Sequence, residues 1–365
     1  MTSPTSTRRR LRPTPSCLIF GLLVVEGLLW LSERYQWFWY NEKKGWTVLI
    51  GVAVVGVTML VMLGWFIVAL VFRWRFQFSI RSLLVLTAAV AIPCSWLAVE
   101  MKKAREQERV IAAITALQGG AIYDWREFDP DFKLLPNVRP PGPVWRPPGP
   151  VWLRNLLGVD FFARVWNVDL NNTKLTDPGI AILKGLTDLQ NLDFSGTEVT
   201  DAGLVHLKHL TKLEYLGFSG TKVTGPGVEH LAGLAHLRYL HFNNTGMTDV
   251  GLEHLKGLTT LHTLLTRDNP VTDVGLEHLR NLTQLRELDL HNTKVTDAGL
   301  EYLKGLSQLE NLELSDTSVT DAGLKHLSVL TQLKLLYLGQ TKVTNAGVDK
   351  LQQALPGCFI QHANY

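Results

Sequence analysis

The stretch TEVTDAGLVHLKHLTKLEYLGFSG, residues 197–220, decides the fold, because variants of it recur along the chain with a period of 24 residues. Counted from Thr173, the chain passes through this pattern eight times up to Tyr365. Self-similarity at such a period is typical of solenoids, in which each repeat is one structural unit stacked on its neighbours. The second half of the chain is therefore predicted to be a solenoid.

Three positions of the repeat hold one residue type in all eight copies. The fourth position is always Thr, from Thr176 to Thr344, and the seventh is always Gly, from Gly179 to Gly347; the eleventh is always Leu. The Thr and the Asp that usually follows it supply side-chain oxygens for the free N–H groups that open a helix. Each copy is therefore predicted to begin a short helix directly after this Thr.

The apolar residues of one copy follow two different spacings. Leu189, Leu192 and Phe194 keep the spacing L-x-x-L-x-L, which predicts a short strand that turns alternate side chains inward. Leu204 and Leu207 continue at a three-residue spacing, which predicts one face of a short α- or 3₁₀-helix. A single copy has no partner for these apolar side chains, so the copies are expected to stack.

The whole pattern, L-x-x-L-x-L-x-x-T-x-V-T-D-A-G-L, resembles the leucine-rich repeat, with Thr at the turn position where many members carry Asn. The phrase TDAGL is similar to the repeats of F-box-associated proteins and of many bacterial surface or membrane-anchored repeat proteins. The resemblance implies an α/β solenoid, a horseshoe with a parallel sheet on its concave side and short helices on its convex side. No F-box-like segment precedes the repeats, so the resemblance does not imply a ubiquitin-ligase role.

Long apolar runs precede the repeats. Residues 46–72 contain no charged side chain, and neither do residues 82–99. Because about 20 apolar residues cross a bilayer, both runs are predicted to be transmembrane helices. Residues 17–32 are also apolar but carry Glu26, so they are either an uncleaved first span or a signal peptide. We interpret them as a span, because no small-residue cleavage site follows.

The basic residues that flank these spans suggest an orientation. The two sides of the membrane carry equal numbers of these basic residues. The dense arginine cluster within residues 1–16 therefore sets the predicted orientation, because the charges beside the first helix usually determine it. This predicts a cytoplasmic N-terminus and an extracytoplasmic repeat domain. The chain is thus expected to be an integral protein of the bacterial cell (inner) membrane, with the lipid bilayer as a partner.

Four further segments complete the predicted domain organisation after the membrane region, residues 17–99. Residues 100–138 are expected to form a juxtamembrane helix and strand. Residues 139–152 spell RPPGPVW twice and are interpreted as an extended spacer, with a P-x-x-P ligand motif as the alternative. Residues 153–172 are expected to cap the solenoid, and residues 173–365 to form the eight repeats, with a truncated last strand.

The chemistry-bearing residues predict neither an enzyme nor a cofactor site. The net charge of +3 gives no basic surface for nucleic acid, and no phosphate-binding, nucleophile or zinc motif occurs. A series of histidines recurs in the helices, but packed helices lie about 8–10 Å apart, which is too far for one ion to reach several rungs. We therefore expect no metal there. The series comprises His206, His230, His254, His278 and His326.

The aspartates that follow the repeated Thr are interpreted as helix-start residues rather than as calcium ligands. The fifth strand and the turn after it, LHTLLTRDNP, are the least regular, because Thr266 and Asn269 replace the inward apolar residue and the turn Thr. This irregularity predicts a looser junction, or alternatively a local bend that shapes a binding surface. The aspartates are Asp177, Asp201, Asp249, Asp273, Asp297 and Asp321.

The outward positions of the strands are predicted to bind another protein, because neighbouring strands present a dense and rigid surface and because Tyr and Arg are favoured at interfaces. A hot spot is expected at Tyr215, Tyr239, His241 and Arg267. The outward positions include Asn167, Asp169, Asn191, Thr263, His291, Asn311 and Leu335, and the predicted partner-binding residues are Asp193, Tyr215, Tyr239, His241, Arg267, Glu287, Asp289, Glu313 and Tyr337.

The sequence therefore predicts a membrane-anchored, non-catalytic scaffold that binds another protein through the concave face of its solenoid. A second hypothesis is a membrane sensor or transport accessory, in which the transmembrane helices carry the function and the repeats gate it. Glu26, a charge within an apolar run, is its only support in the sequence.

Overall fold

The computed structural model describes residues 80–123, 155–161 and 163–362. The chain divides into two compact units. The first comprises residues 1–105 and 125–163, and the second comprises residues 106–124 and 164–365. The repeats therefore lie in the second unit.

A long helix, α1, begins at Ile80 and ends at Ala116. Within the first unit, Ala104 of this helix and Phe161 are buried, and Leu97, Met101 and Leu157 pack around them. This small apolar cluster is separate from the core of the repeats.

Within the described residues, no helix is both long and apolar enough to cross a membrane. The transmembrane helix predicted for residues 82–99 lies in α1 and is not confirmed. That apolar run is only the first part of a 37-residue helix, whose remainder carries many charged side chains. The other two predicted spans, 17–32 and 46–72, and the spacer 139–152 lie outside the described residues.

The described residues form one ten-stranded sheet, in which the strands follow one another in chain order. The first two strands are antiparallel and all later neighbours are parallel. In the parallel part the register advances by one repeat per strand, so that Leu192 lies opposite Leu216 and Leu216 opposite Leu240. The strands are β1 (Gly120–Tyr123), β2 (Val165–Asp169), β3 (Asn191–Asp193), β4 (Tyr215–Gly217), β5 (Tyr239–His241), β6 (Thr263–Leu265), β7 (Glu287–Asp289), β8 (Asn311–Glu313), β9 (Leu335–Tyr337) and β10 (Phe359–Gln361).

Short helices connect successive parallel strands, which confirms the predicted α/β solenoid. They stay short because the apolar three-residue spacing covers only one or two turns before the chain returns to the sheet. The α-helices are α2 (Asp177–Ile180), α3 (Asp201–Leu204), α4 (Asp249–Leu255), α5 (Asp273–Leu279), α6 (Asp321–Leu324) and α7 (Asn345–Ala354), and the 3₁₀-helices are Ala181–Gly185, Val205–His209, Pro226–Leu231 and Gly299–Gly305. A further 3₁₀-helix, Val159–Phe161, precedes β2.

The core consists of columns of apolar side chains, one from each repeat. Leu189, Leu192 and Phe194 are completely buried, as the strand spacing predicts. Phe194 stacks on Phe218, and Phe218 on Phe242, with ring centroids 5.8 and 5.7 Å apart. Each ring therefore finds its partner in the next repeat, and a single repeat could not bury it.

Elements outside the repeats close the first end of this core. In the second unit, Val110 and Ile114 of α1 are buried in the same core as the repeats. β1 pairs with β2 and so occupies the edge of the sheet before the first repeat. Residues from the segment 100–138 thus lie at this end of the core, beside β2 of the expected cap, 153–172. At the other end, β10 adds a last parallel strand.

Successive helical segments are joined by a repeated contact, which we call the Asp–Thr–Gly bridge. Asp177 accepts hydrogen bonds from the backbone N–H (2.8 Å) and hydroxyl (2.7 Å) of Thr200 in the next repeat. The Thr200 oxygen in turn accepts the N–H of Ala202 and caps α3. A Cβ atom on Gly203 would lie 2.6 Å from the Asp177 carboxylate, so only glycine fits there.

The bridge accounts for the aspartates and threonines that recur in the sequence. It is missing where Gly225 takes the place of the aspartate, so Thr248 receives no carboxylate from the preceding repeat. The Asp–Thr pairs of the other repeats are Asp201–Thr224, Asp249–Thr272, Asp273–Thr296, Asp297–Thr320 and Asp321–Thr344.

Asn269, the first residue of the fifth repeat, forms more hydrogen bonds than the Thr side chain at the same position of the other repeats. The equivalent position of most other copies carries a buried Thr whose hydroxyl donates to the carbonyl three residues earlier, as Thr197 does to Phe194 at 2.6 Å. Asn269, only 2% exposed, instead contacts the preceding repeat. Its Oδ1 accepts the N–H groups of Thr245 (3.1 Å) and Met247 (2.9 Å). The junction that we expected to be looser is therefore densely hydrogen-bonded.

Replacing Gly299 with Ala should destabilise the repeats by about 2 kcal/mol, because the new methyl group would overlap the Asp273 carboxylate and Leu276. The control is Gly257→Ala, since a Cβ atom there would meet no atom within 4 Å. Urea unfolding followed by circular dichroism gives both free energies of unfolding. Equal values for the two variants would contradict the steric role of the bridge.

Replacing Asn269 with Ala should lower the free energy of unfolding by about 3 kcal/mol, because several buried backbone N–H groups lose their acceptor. Asn281→Ala, at an exposed position, serves as the control and should change it little. The same urea titration measures both. A loss below about 1 kcal/mol for Asn269→Ala would show that water replaces these bonds.

Candidate functional site: the strand face

The sheet presents one surface away from the leucine core, which we call the strand face. The middle residue of each short strand points into the core, and its two neighbours lie on the strand face. These neighbours form two columns in register across β3–β9. The first column contains Asn191, Tyr215, Tyr239, Thr263, Glu287, Asn311 and Leu335, and the second contains Asp193, Gly217, His241, Leu265, Asp289, Glu313 and Tyr337.

Eight of the nine predicted partner-binding residues lie in these two columns. Arg267 does not, because it follows the end of β6. The second column holds Leu265 at this strand, a half-buried apolar residue that the sequence analysis missed. Counting by two from Thr263 would have found it, but the run TLLT places two adjacent leucines in the strand and obscures the alternation.

A polar cluster spans three neighbouring strands, β3, β4 and β5. The Tyr215 hydroxyl donates to Asp193 Oδ2 at 3.1 Å and lies 3.1 Å from His241 Nδ1. Because the phenol has a single proton, the His241 N–H donates to the phenol oxygen in this arrangement. The two rings also meet edge to face, with centroids 4.9 Å apart. Tyr215 and His241, both predicted for the hot spot, are therefore in contact.

Gly217 makes this cluster possible. A Cβ atom on Gly217 would lie 2.9 Å from both the Asp193 carboxylate and the Tyr215 hydroxyl. The tyrosine side chain therefore occupies the space that a larger second-column residue would fill. Tyr215 is held across the strand in one position, which lowers the entropy cost of using its ring in an interface.

The surroundings of the cluster shift the proton affinities of its members. Burial, together with the nearby Asp193 charge, raises the pKa of Tyr215 well above its usual range. Burial lowers the pKa of His241, although Asp193 opposes the shift. Both groups are therefore neutral at pH 7, and Asp193 contributes the charge of the cluster.

Tyr239 and Arg267 are the other members of the expected hot spot. Tyr239 lies next to Tyr215 on the adjacent strand, whereas Arg267 follows the end of β6. Tyr239 is 41% exposed, and its ring is tilted against His262 with centroids 6.5 Å apart. The Arg267 guanidinium forms an ion pair with its neighbour Asp268 at 3.3 Å. The Asn292 side chain, which donates to Asp268, lowers the pKa of that carboxyl most, and Arg267 adds to the effect.

Acidic side chains dominate the strand face at β7 and β8. Asp289 and Glu313 are directly opposite each other in register. Each accepts a local backbone N–H, Asp289 from His291 at 2.9 Å and Glu313 from Ser315 at 2.7 Å. Burial raises the pKa of Asp289, and the Glu313 charge adds to this shift. Glu287 accepts the Thr263 hydroxyl at 3.3 Å.

The residues that the structure describes include no group of three or more His, Cys, Asp or Glu side chains arranged to hold a metal ion. The repeated histidines occupy equivalent helical positions, one per repeat, and are half-buried. Burial lowers the pKa of His326, which is the last of them. The repeated aspartates accept hydrogen bonds in the Asp–Thr–Gly bridges.

Replacing Asp289 with Asn should raise the melting temperature at pH 7. The raised pKa means that folding disfavours the charged form, so Asp289 costs stability above its folded pKa. This cost disappears below its unfolded pKa, where both states are protonated, so the gain should shrink in acid. Glu301→Gln, at an exposed helical position, is the control. Calorimetry across pH measures the effect, and a lower melting temperature at pH 7 would contradict it.

Comparisons with known proteins found a family model and solved structures to which part of this chain is similar. The family model described as "Leucine Rich repeat" matches residues 233–256 and 281–304, each match spanning one repeat length. Internalin C2 from Listeria monocytogenes is 26% identical; the match covers 56% of this chain and 86% of that one, with a TM-score of 0.47. An internalin, inlF, from the same organism is 22% identical, covering 53% and 72%, with a TM-score of 0.34.

A search of curated proteins found no match. The family match, the repeated pattern and the parallel sheet with one strand per repeat lead to the same conclusion. The repeats of this chain are leucine-rich repeats.

Proposed function

We propose that this protein is a non-catalytic scaffold that binds another protein on the strand face of its leucine-rich repeats. Leucine-rich-repeat domains generally act in protein–protein interaction, and the fold is typically non-catalytic. The proposal goes further by assigning the binding to the residues of the two columns.

The observation that carries the proposal is the ordered polar and aromatic cluster at the centre of the first half of the strand face. Tyr215 is fixed by Asp193 and His241, and Tyr239 next to it leaves 41% of its surface exposed. Aromatic side chains that are already ordered supply contact area at low entropy cost. A partner would therefore gain most of its binding energy around these two tyrosines.

The same proposal places the repeat domain at a membrane. Its support is the sequence, in which residues 17–32 and 46–72 are long apolar runs and a cluster of arginines precedes them. We propose that these runs anchor the chain in the bacterial inner membrane with the N-terminus in the cytoplasm, and that residues 82–99 add the third crossing that places the repeats outside it. The partner would then be an envelope or extracellular protein.

Site-specific photocrosslinking in intact cells tests the proposal. A photoreactive amino acid in place of Tyr239 should crosslink to a discrete protein, whereas the same group in place of Val274, which is 61% exposed on α5, should not. Protease added outside the cells should digest the repeat domain. Crosslinking from Val274 alone would contradict the assignment of the face, and protection until the cells are permeabilised would contradict the location.

A further inference from the structure

The carboxylates of the strand face lack the ion pairs that several exposed carboxylates on other surfaces of the repeats form. On the other surfaces, Asp188 pairs with Lys212 at 2.6 Å, and Glu253 pairs with Lys256 at 3.4 Å. The strand-face carboxylates form no ion pair with any described residue, and only backbone N–H groups or hydroxyls donate to them. These carboxylates are Asp169, Asp193, Glu287, Asp289 and Glu313.

Asp289 and Glu313 form the least favourable arrangement among them. They are register partners on adjacent parallel strands, and like charges directly opposite each other destabilise a sheet. Both are half-buried, which strengthens the repulsion because water screens it less. The Arg267 charge acts on Asp289, but its guanidinium forms its ion pair with Asp268. The pair therefore presents a negative potential that no neighbouring side chain neutralises through direct contact.

The residues on either side of this pair in the second column are largely apolar. Leu265 precedes Asp289 on β6, and Tyr337 follows Glu313 on β9, each in register with its neighbour. Leu265, Tyr337 and Leu335, the first-column residue of β9, are all half-buried. A metal ion would favour further oxygen ligands in these positions. An arginine side chain suits them better, because it combines an apolar stem with a planar cation.

We infer that β7 and β8 hold the arginine of a basic segment of the partner protein, with its guanidinium between Asp289 and Glu313 and its stem against Leu265 or Tyr337. This inference rests on the proposed function, since it names the chemistry of a partner for the same strand face. Neighbouring strands lie about 4.8 Å apart, so a guanidinium can donate to both carboxylates at once. Binding would also remove the repulsion between them.

Fluorescence anisotropy with two labelled peptides tests the inference on the purified full-length chain. In one peptide arginine alternates with serine, and in the other citrulline, which has the same shape without the charge, replaces arginine. The arginine peptide should bind at least about tenfold more tightly, as expected for a close charge pair. The double variant Asp289→Asn, Glu313→Gln should lose this difference, and the control Glu301→Gln should keep it.

Three results would overturn the inference: equal binding of the two peptides to the unaltered chain, an undiminished preference in the double variant, or calorimetric binding of Ca²⁺ alone that the double variant abolishes. Thermal unfolding checks that each variant is folded, and the double variant should melt no lower than the unaltered chain. The outcome is separable from that of the proposed function. Crosslinking from position 239 would still test the strand face if the arginine preference fails.

Discussion

The Asp–Thr–Gly bridge is the polar contact that joins the helical segments of most successive repeats in the stack. The carboxylate of one repeat takes both the N–H and the hydroxyl of a threonine in the next, as between Asp177 and Thr200. The same threonine caps its own helix, so the start of each helix is tied to the preceding repeat. The glycine that follows leaves room for the carboxylate. This geometry explains why three residue types recur in almost every copy.

Regular stacking has a direct consequence for the strand face. Each strand residue lies opposite the equivalent residue of the next repeat, so that equivalent positions form columns across the strand face. Substitutions within a column then act on neighbours: Gly217 permits the Tyr215 side chain to reach Asp193 and His241. The acidic pair on β7 and β8 arises in the same way from two side chains in adjacent repeats.

The fifth repeat shows how an irregular sequence can strengthen a junction. The stack of Phe194, Phe218 and Phe242 ends where Thr266 follows in the core. Asn269 lies beside it, donates to the Phe242 carbonyl at 2.9 Å and accepts N–H groups of the preceding turn. From the sequence, the replacement of an apolar side chain by Thr266 predicted a looser junction at this site. The sequence alone does not reveal that the Asn269 amide forms hydrogen bonds with buried backbone groups of another repeat.

The sequence by itself determined the solenoid, the period, the buried leucines and most of the strand face, because these follow from spacing within a single copy. Eight of the nine residues that the sequence assigns to this face lie in its two columns. The tertiary structure decided what spacing within one copy does not encode. It brought Tyr215 against Asp193 and His241, and put part of α1 at the open end of the core. Each of these contacts joins residues from different elements, and their energies depend on distances that only stacking sets.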